Sequence, residues 1–382
     1  MRILLVGEYS RLHNSLKEGL TALGHQVNLL GSGDGFKDFP VDIKLERRFT
    51  GGLGKKFKLA LLKMYGFDIS EYLLRREFRA MQHQLTDYDV VQLINESSFQ
   101  TTPRLELEIA QFLKKHNKKL FLLSCGTDYP SVSYAYGQKV VPSIFTPLFQ
   151  GKVKKEDMAP ALKYLETDYQ KLHRQLYNLV NGVIATDLDY HVPLQHHPKY
   201  CGLIPNPINT DRLIPPLQMQ NKPAVYPIKI FHGINRNNYY KKGNDLIEEA
   251  LHQLQLAHPD KVEVKTLENV PYAKYIESYT EADVLMDQLY TQDQGYNALE
   301  AMALGKTVFT GAGVLFQNHY GLQETVAIDA GTTSVELKVQ LEALLEKPES
   351  IKKIGKQARN FVLKHHQYVA VAKRYMELWN SY

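Results

Sequence analysis

The chain has 382 residues, of which 44% are hydrophobic and 23% are charged, and its formal net charge is +5. This length exceeds what one hydrophobic core usually serves, so two domains are expected. The mild positive charge predicts neither a membrane nor a nucleic-acid partner, and we expect no nucleic acid to bind. The two cysteines, Cys125 and Cys201, lack the spacing of a zinc site or disulfide framework, so no metal is expected.

The first half of the chain alternates strand and helix patterns. Apolar runs predict buried strands at 2–7, 25–31, 89–95, 119–124 and 182–187, and amphipathic segments predict helices at 15–24, 103–116 and 159–180. The run at 2–7 is too short for a signal peptide. No run reaches the roughly 18 apolar residues that cross a bilayer. We therefore expect a cytoplasmic protein with a parallel, doubly wound sheet.

The second half repeats this alternation. Strands are predicted at 228–234, 262–267, 282–288, 306–311 and 325–330, with a helix at 243–255 and a helical tail from 334 to 382. The Pro- and Asn-rich segment 204–216 has turn chemistry that suits an interdomain linker.

The predicted class is α/β, with two doubly wound Rossmann-like domains facing across a cleft. We place the first domain at 1–203, the linker at 204–216 and the second domain at 217–360, and we expect a last helix, 361–382, to pack back on the first domain. Ligands bind at the carboxyl ends of strands in such sheets, so the cleft is the expected site.

Two cations follow the strand 228–234. Arg236 and Lys242 lie in the loop after it, and Gly243 opens the next helix. Cations beside a helix N-terminus can hold a diphosphate. The alternative is ordinary solvated surface charge, and this motif alone does not decide between them.

The segment 293–305 contains a second group of candidate donor-binding residues. Gly295 can let the backbone approach a ligand, and the amides of Tyr296 and Asn297 fall in a first helical turn. Glu300 lies one turn further on the same face, where its carboxylate can accept two ribose hydroxyls or simply complement the helix dipole. Just before this segment, Asp287 and Gln288 end a strand and either contact a ligand or cap the turn.

Three segments together resemble the retaining glycosyltransferases of family 4, which have the GT-B fold: "IPNPINTDRLIP", "NRNNYYKKGNDLIEEAL" and "GYNALEAMALGKTV". The resemblance covers nearly all of the second domain and, more loosely, the first. It implies that Arg236 and Lys242 hold the donor diphosphate, that 295–297 face the phosphates or sugar, and that Glu300 binds the ribose. It also implies that the leaving phosphate deprotonates the acceptor, and that no metal is needed, because the cations do the work that divalent ions do in other transferases. No cofactor is expected, because the nucleotide-sugar is a substrate.

The sequence departs from this family at one position. The family has two glutamates separated by seven residues, and the first of them falls on Gln292. A subset of bacterial surface-polysaccharide transferases looks similar in having Asp-Gln after the preceding strand, as at 287–288. Asp287 or Asp293 can supply the missing carboxylate, and the base and sugar of the donor stay open.

The first domain offers two further groups of candidates. The segment "LLSCGTDYP" (122–130) resembles the family's His-Gly-Ser/Thr-Asp segment, with Cys125 in the histidine place; we interpret Cys125 as a small buried residue. Asp128 either contacts the substrates or caps the turn. The loop after the first strand lacks a GxGxxG fingerprint, and Gly7, Ser10 and His13 can border the acceptor.

The segment 47–66 is basic and aromatic. It can contact anionic lipid, or it can be a solvated face over an ordinary core helix. A lipid-linked acceptor would make membrane contact sensible. The hypothesis from sequence is a retaining glycosyltransferase that moves a sugar from a nucleotide-sugar donor to a glycan or lipid-linked acceptor in surface-polysaccharide synthesis. The alternatives are a nucleotide-sugar epimerase of the same fold and a non-catalytic nucleotide-sugar-binding homologue.

Overall fold

A computed structural model describes residues 1–32, 39–215, 226–268 and 272–382, with side chains from 276 onward in the last range. Over this part of the chain the strands form two parallel sheets. The first contains β1 (Arg2–Val6), β2 (Gln26–Gly31), β3 (Ile43–Lys44), β4 (Val90–Leu93), β5 (Lys119–Ser124), β6 (Gly182–Ala185) and β7 (Tyr200–Leu203). The second contains β8 (Ile228–Ile234), β9 (Val262–Glu268), β10 (Val284–Met286), β11 (Thr307–Thr310) and β12 (Ile328–Asp329).

Helices connect the strands and cover the sheets. Around the first sheet lie α1 (Leu12–Ala22), α2 (Gly52–Tyr65), α3 (Ile69–Met81), α4 (Pro103–His116), α5 (Tyr129–Tyr136), α6 (Thr146–Phe149), α7 (Ala159–Leu162), α8 (Thr167–Leu179) and α9 (Leu188–Leu194). The later helices are α10 (Tyr239–Lys242), α11 (Asn244–Ala257), α12 (Tyr272–Thr280), α13 (Tyr296–Ala303), α14 (Val314–Tyr320), α15 (Ser334–Glu346), α16 (Glu349–His365) and α17 (Tyr368–Ser381). The predicted α/β class with two sheets is confirmed.

The strand order explains where loops can build a site. The sheets run β3-β2-β1-β4-β5-β6-β7 and β12-β11-β10-β8-β9. The order reverses beside β1 in the first sheet and beside β8 in the second, so the loops after β1 and β4, and after β8 and β10, diverge and leave a crevice. The predicted cation loop and donor-binding segment follow β8 and β10.

Several predicted elements differ from the structure. The helix predicted at 159–180 is two helices, because Glu166 is extended and the turn before it buries Tyr164 in a small cluster with Val132 and Phe145. The helix predicted at 243–255 is interrupted at its start by Gly243, whose φ of 75° is left-handed. Strands β3 and β7 have no counterpart among the predicted strands. The predicted boundary between linker and second domain, at 216–217, lies outside the described residues.

The chain crosses between the two halves twice, at neighbouring places. The backbone of Ile208 pairs with that of Gln367, beyond the end of α16. Helix α17 then packs on α1 of the first sheet, and Trp379 is buried against Phe121 of β5. The core around the first sheet therefore includes residues from the far end of the sequence.

Replacing Gly19 with alanine should loosen this packing. A methyl group at position 19 would clash with the carbonyl oxygen of Tyr368 and lie 2.9 Å from Cβ of Ala372. Alanine favours a helix over glycine by about 1 kcal/mol, but overpacking against backbone costs about 1–3 kcal/mol, so a net loss is expected. Urea unfolding measures this loss in the free energy of unfolding. The control is Gly51→Ala, which adds the same methyl in open space and should change stability less; equal effects would contradict the close packing.

Candidate active site

A cavity of about 330 Å³ lies between the two halves of the molecule. The loops after β1, β5 and β6 contribute Ser10, Cys125 and Asp187 to its wall. The loops after β8 and β10 contribute Lys241, Lys242 and the start of α13. The predicted cleft site is thus a real cavity at the carboxyl ends of both sheets.

Two adjacent lysines face this cavity. The ammonium of Lys242 donates to Asp287 at 2.9 Å, and the buried carboxylate of Asp287 also accepts from Thr310 at 3.2 Å. Lys241 lines the same wall, and its removal from water lowers its pKa to about 8, with the charge of Lys242 adding to the shift. Sequence reasoning missed Lys241, although the Lys-Lys doublet before Gly243 was the available signal.

Arg236 is not among the residues that line the cavity. Its Nε donates to Glu268 at 2.9 Å, Glu248 lies 4.0 Å away, and the guanidinium stacks over the ring of Tyr239 at 4.7 Å. The side chain is about half exposed in this cluster. The diphosphate role expected for Arg236 therefore has no geometric support in this structure, whereas Lys241 occupies a suitable place.

The start of α13 faces the cavity through Gly295 and Tyr296. A side chain at Gly295 would lie 3.3 Å from Asp287 and 3.5 Å from Gln288, so the glycine leaves room for those two groups. Gln288 also lines the cavity. Asn297 is half-buried one position further along the helix. Gly295, Tyr296 and Gln288 thus lie at one wall of the cavity, with Asp287 in contact behind them, whereas Asn297 is not among the residues that line it.

Glu300 is buried and lines a second cavity, of about 380 Å³. Arg11, Arg212 and Tyr296 border the same space. Tyr296 also borders the first cavity, so the two spaces are neighbours that share this residue. Its hydroxyl donates to the carbonyl of Pro207 in the linker.

Gln292 contacts the other half of the molecule. Its side-chain amide donates to the carbonyl of Pro142 at 3.0 Å, and its backbone amide donates to Asp189 at 3.1 Å. Asp189 also accepts from the hydroxyl of Thr291. In return, Asp293 accepts from the backbone amide of Leu188 at 3.1 Å. Residues 291–293 therefore hold the two halves together, and Gln292 lies outside the lining of the cavity.

Three carboxyls are gathered at this contact: Asp187, Asp189 and Asp293. Burial raises the pKa of Asp293 to about 7 and that of Asp189 to about 6. The pKa of Asp187, which lines the cavity, is also raised, by loss of water first and then by the charges of the other two. Asp187 and Asp189 directly follow β6, so the strand-end rule could have found them.

The predicted acceptor-side residues differ in whether they line the cavity. Ser10 lines the cavity. His13 is buried behind it; Nδ1 donates to the carbonyl of Gly7 at 2.7 Å, and Nε2 lies 3.3 Å from Gln92. Burial lowers the pKa of His13 to about 3, which keeps the ring neutral. Gly7, at a φ of 86°, and His13 shape the loop on which Ser10 stands.

The segment 122–130 also contains both residues that line the cavity and a residue buried behind it. Cys125, Gly126 and Thr127 line the cavity, and burial raises the pKa of the Cys125 thiol. Asp128 is buried and caps α5, since it accepts from the amide of Ser131 at 3.0 Å and from the hydroxyl of Ser124. Because one carboxylate oxygen caps α5, the other accepts from Ser124, and Asp128 is not among the residues that line the cavity, the structure favours the capping alternative over the catalytic one.

Comparisons with known proteins bear on the fold and on the second half of the chain. Residues 236–377 match a family model described as "Glycosyl transferase-like". No curated protein sequence matches the chain. Anabaena Alr3699/HepE, solved in complex with UDP-glucose, is 13% identical over 100% of each chain, with a TM-score of 0.61. WaaG, a glycosyltransferase involved in lipopolysaccharide biosynthesis, is 13% identical over 98% of each chain, with a TM-score of 0.56.

The same architecture also occurs in a putative UDP-N-acetylglucosamine 2-epimerase from Listeria monocytogenes. That protein is 10% identical over 98% of this chain and 94% of its own, with a TM-score of 0.54. At these identities the likeness shows the fold alone. The chain has the GT-B fold, and residues 236–377 are similar to the glycosyl transferase-like family.

Replacing Asp187 with asparagine should make stability less dependent on pH. The raised carboxyl pKa values mean that the folded protein binds these protons more tightly than the unfolded chain, so wild-type stability falls as pH rises from about 4 to about 7. Asparagine keeps the acceptor that caps α9 but removes one charge. We expect the decline to shrink by about 1–3 kcal/mol.

Urea unfolding between pH 4.5 and 8 measures this effect. Asp68→Asn is the control, because Asp68 caps α3 in the same manner, far from the three carboxyls. A decline that is as steep in Asp187→Asn as in the wild type would contradict the raised pKa of Asp187.

Proposed function

We propose that the chain transfers a sugar from a nucleotide-sugar to a glycan or lipid-linked acceptor in the interdomain cavity, with retention at the anomeric carbon. The observation that carries the proposal is the pair Lys241 and Lys242 facing the same space as the start of α13. Two cations and a helix N-terminus form a receptor for a diphosphate.

The charges of this wall suit a leaving diphosphate. The carboxylate of Asp287 neutralises the charge of Lys242. The charge of Lys241 therefore makes this side of the cavity net positive. As the bond to the anomeric carbon breaks, negative charge grows on the phosphate oxygens. Donors already fixed in place stabilise that charge without reorganisation. Binding of the anion would also stabilise the protonated form of Lys241, whose pKa burial lowers to about 8.

The second cavity fits the nucleoside part of the donor. A diphosphate at Lys241 and Lys242 would lie in the first cavity, and Glu300 lines the neighbouring cavity, with Tyr296 shared by both. A ribose there can donate both of its hydroxyls to Glu300. HepE is solved with UDP-glucose, which makes a uridine diphosphate sugar the first donor to test.

The acceptor would enter beside Ser10 and Asp187. Raised pKa favours the neutral acid of Asp187, which can donate a hydrogen bond to a sugar hydroxyl. We assign deprotonation of the acceptor to the leaving phosphate, as in the family that the sequence resembles, with no metal and no cofactor. Surface-polysaccharide synthesis at the inner face of the membrane is supported by the Asp-Gln pattern at 287–288 and by the likeness to WaaG.

An epimerase of this fold is the second candidate, favoured by the Listeria relative. Epimerisation needs carboxylates and a histidine that converge on the sugar. Asp187 and Asp189 line the cavity, but no histidine is among the described residues of its wall. The transferase therefore fits the observed wall better. A non-catalytic sugar-nucleotide binder would bind the donor without turning it over.

Lys241→Met should lower turnover of the donor by about 100-fold or more, because one preorganised cation is removed from the leaving group. The assay measures release of nucleoside diphosphate from uridine diphosphate sugars, with and without acceptor sugars. Arg236→Met is the matched control and should stay close to wild type, because its guanidinium lies in an exposed ion-pair cluster. Turnover that falls with Arg236→Met and not with Lys241→Met would reverse the assignment. Binding without any turnover in the wild type would indicate a binding protein.

Glu300→Ala should weaken binding of the free nucleoside diphosphate by about 10- to 100-fold, the range for a lost hydrogen bond to a charged group. Isothermal titration calorimetry measures this affinity. Glu277→Ala removes an exposed glutamate of the same domain and should bind normally. Unchanged affinity in a folded Glu300→Ala protein would remove the ribose role.

A further inference from the structure

Helix α2 and its flanks, residues 47–67, form a basic and apolar surface that we call the α2 surface. The sequence left open whether this segment covers a core, and the structure excludes that alternative because no residue of α2 is buried. We propose that the α2 surface docks on an anionic lipid bilayer, with the apolar side of α2 in the headgroup region.

Four apolar residues of α2 lie along one side of the helix, while Leu59 and Leu62, also exposed, lie on other sides. Leu53, Phe57, Ala60 and Met64 recur at helical spacing. Leu53 is 83% exposed, Met64 68% and Phe57 51%, and Tyr65 beside them is exposed as well. The helix touches the protein instead through Gly54, Lys58 and Leu61, which are only half-buried. So large a set of apolar groups facing water marks an interaction surface.

The positive charge of the α2 surface favours an anionic binding partner. Residues 47–67 contain six Lys or Arg and no Asp or Glu. Lys56 and Lys63 are exposed on the helix beside the apolar stripe. Lysines that flank an apolar stripe can reach lipid phosphates while the stripe enters the headgroup region. A second copy of the same surface would bring like charges together, which disfavours self-association.

The size of α2 is consistent with lying on the bilayer rather than crossing it. None of the described helices combines the length and apolarity that spanning would require. Helix α2 has 14 residues, about 21 Å, against a hydrocarbon core of about 30 Å.

The α2 surface begins next to the acceptor side of the cavity. Arg47 donates to the carbonyl of Gln100 at 3.0 Å. In the same loop, the carbonyl of Ser97 accepts from the hydroxyl of Tyr9 at 2.8 Å, and Tyr9 lines the cavity. A bilayer under α2 would therefore lie close to the acceptor entrance. If the proposed transfer function holds, this placement favours an acceptor that is carried on a lipid; the docking itself does not depend on that function.

The test is co-sedimentation of the full chain with vesicles of phosphatidylcholine alone or mixed with phosphatidylglycerol. We expect binding to the anionic vesicles only, weakened by salt because exposed charges are screened. Lys56→Glu/Lys63→Glu should weaken it by at least about tenfold, since each basic residue near the surface contributes. The variant Phe57→Gln/Met64→Gln should bind the anionic vesicles more weakly, and its remaining binding should be more sensitive to salt.

The control is Val335→Gln/Val339→Gln, which removes two exposed apolar side chains from α15 on the second domain and should bind like wild type. Donor hydrolysis in solution should be normal in all of these variants, which separates failure of docking from failure of the transfer function. Absence of vesicle binding, equal binding by the α2 variants, or a dimer that Phe57→Gln/Met64→Gln dissolves would overturn the proposal. Binding of poly-glutamate in place of vesicles would also overturn it, in favour of an acidic protein partner.

Discussion

The position of one domain against the other depends on two carboxylates in the cleft that accept backbone hydrogen bonds from the opposite side. Asp189 accepts from the amide of Gln292, and Asp293 accepts from the amide of Leu188. An amide left without a partner at such a contact costs about 1–3 kcal/mol, so the two bonds stabilise one relative placement of the domains. That placement sets Lys241 and Lys242 opposite Ser10 and Asp187.

This contact gives a physical reason for an amide at position 292. A glutamate there would point a carboxylate at the carbonyl of Pro142, where the glutamine amide now donates. It would also bring a fourth carboxylate to a place where three already have raised pKa values. The glutamine thus replaces the charge that the family has at this position with a neutral bond between the domains, and we interpret the departure from the family pattern as a change in how the two domains are held together.

Much of the fold could be predicted from sequence because the strands are continuous apolar runs and the turns between them carry Gly, Pro and Asn. Strand β3, with two residues, and β7, with a half-buried pattern, were missed because neither contains a long apolar run. At the site, strand ends located the lysine loop and α13 correctly. They could not show that Arg236 turns toward Glu268 or that Gln292 reaches Pro142, because those choices depend on partners that lie distant in the sequence.

The return of α17 to the first sheet has a consequence for the order of folding during synthesis. Trp379 and Tyr375 complete the core beside Phe121, and Lys119 of β5 donates to the carbonyl of Trp379 at 2.7 Å. The ribosome makes these residues only after the whole second sheet. The first domain therefore leaves the ribosome with an apolar groove exposed. Its core is completed only when α17 has been made. Domains commonly mature from the amino end of a nascent chain, but here the second sheet can close before the first.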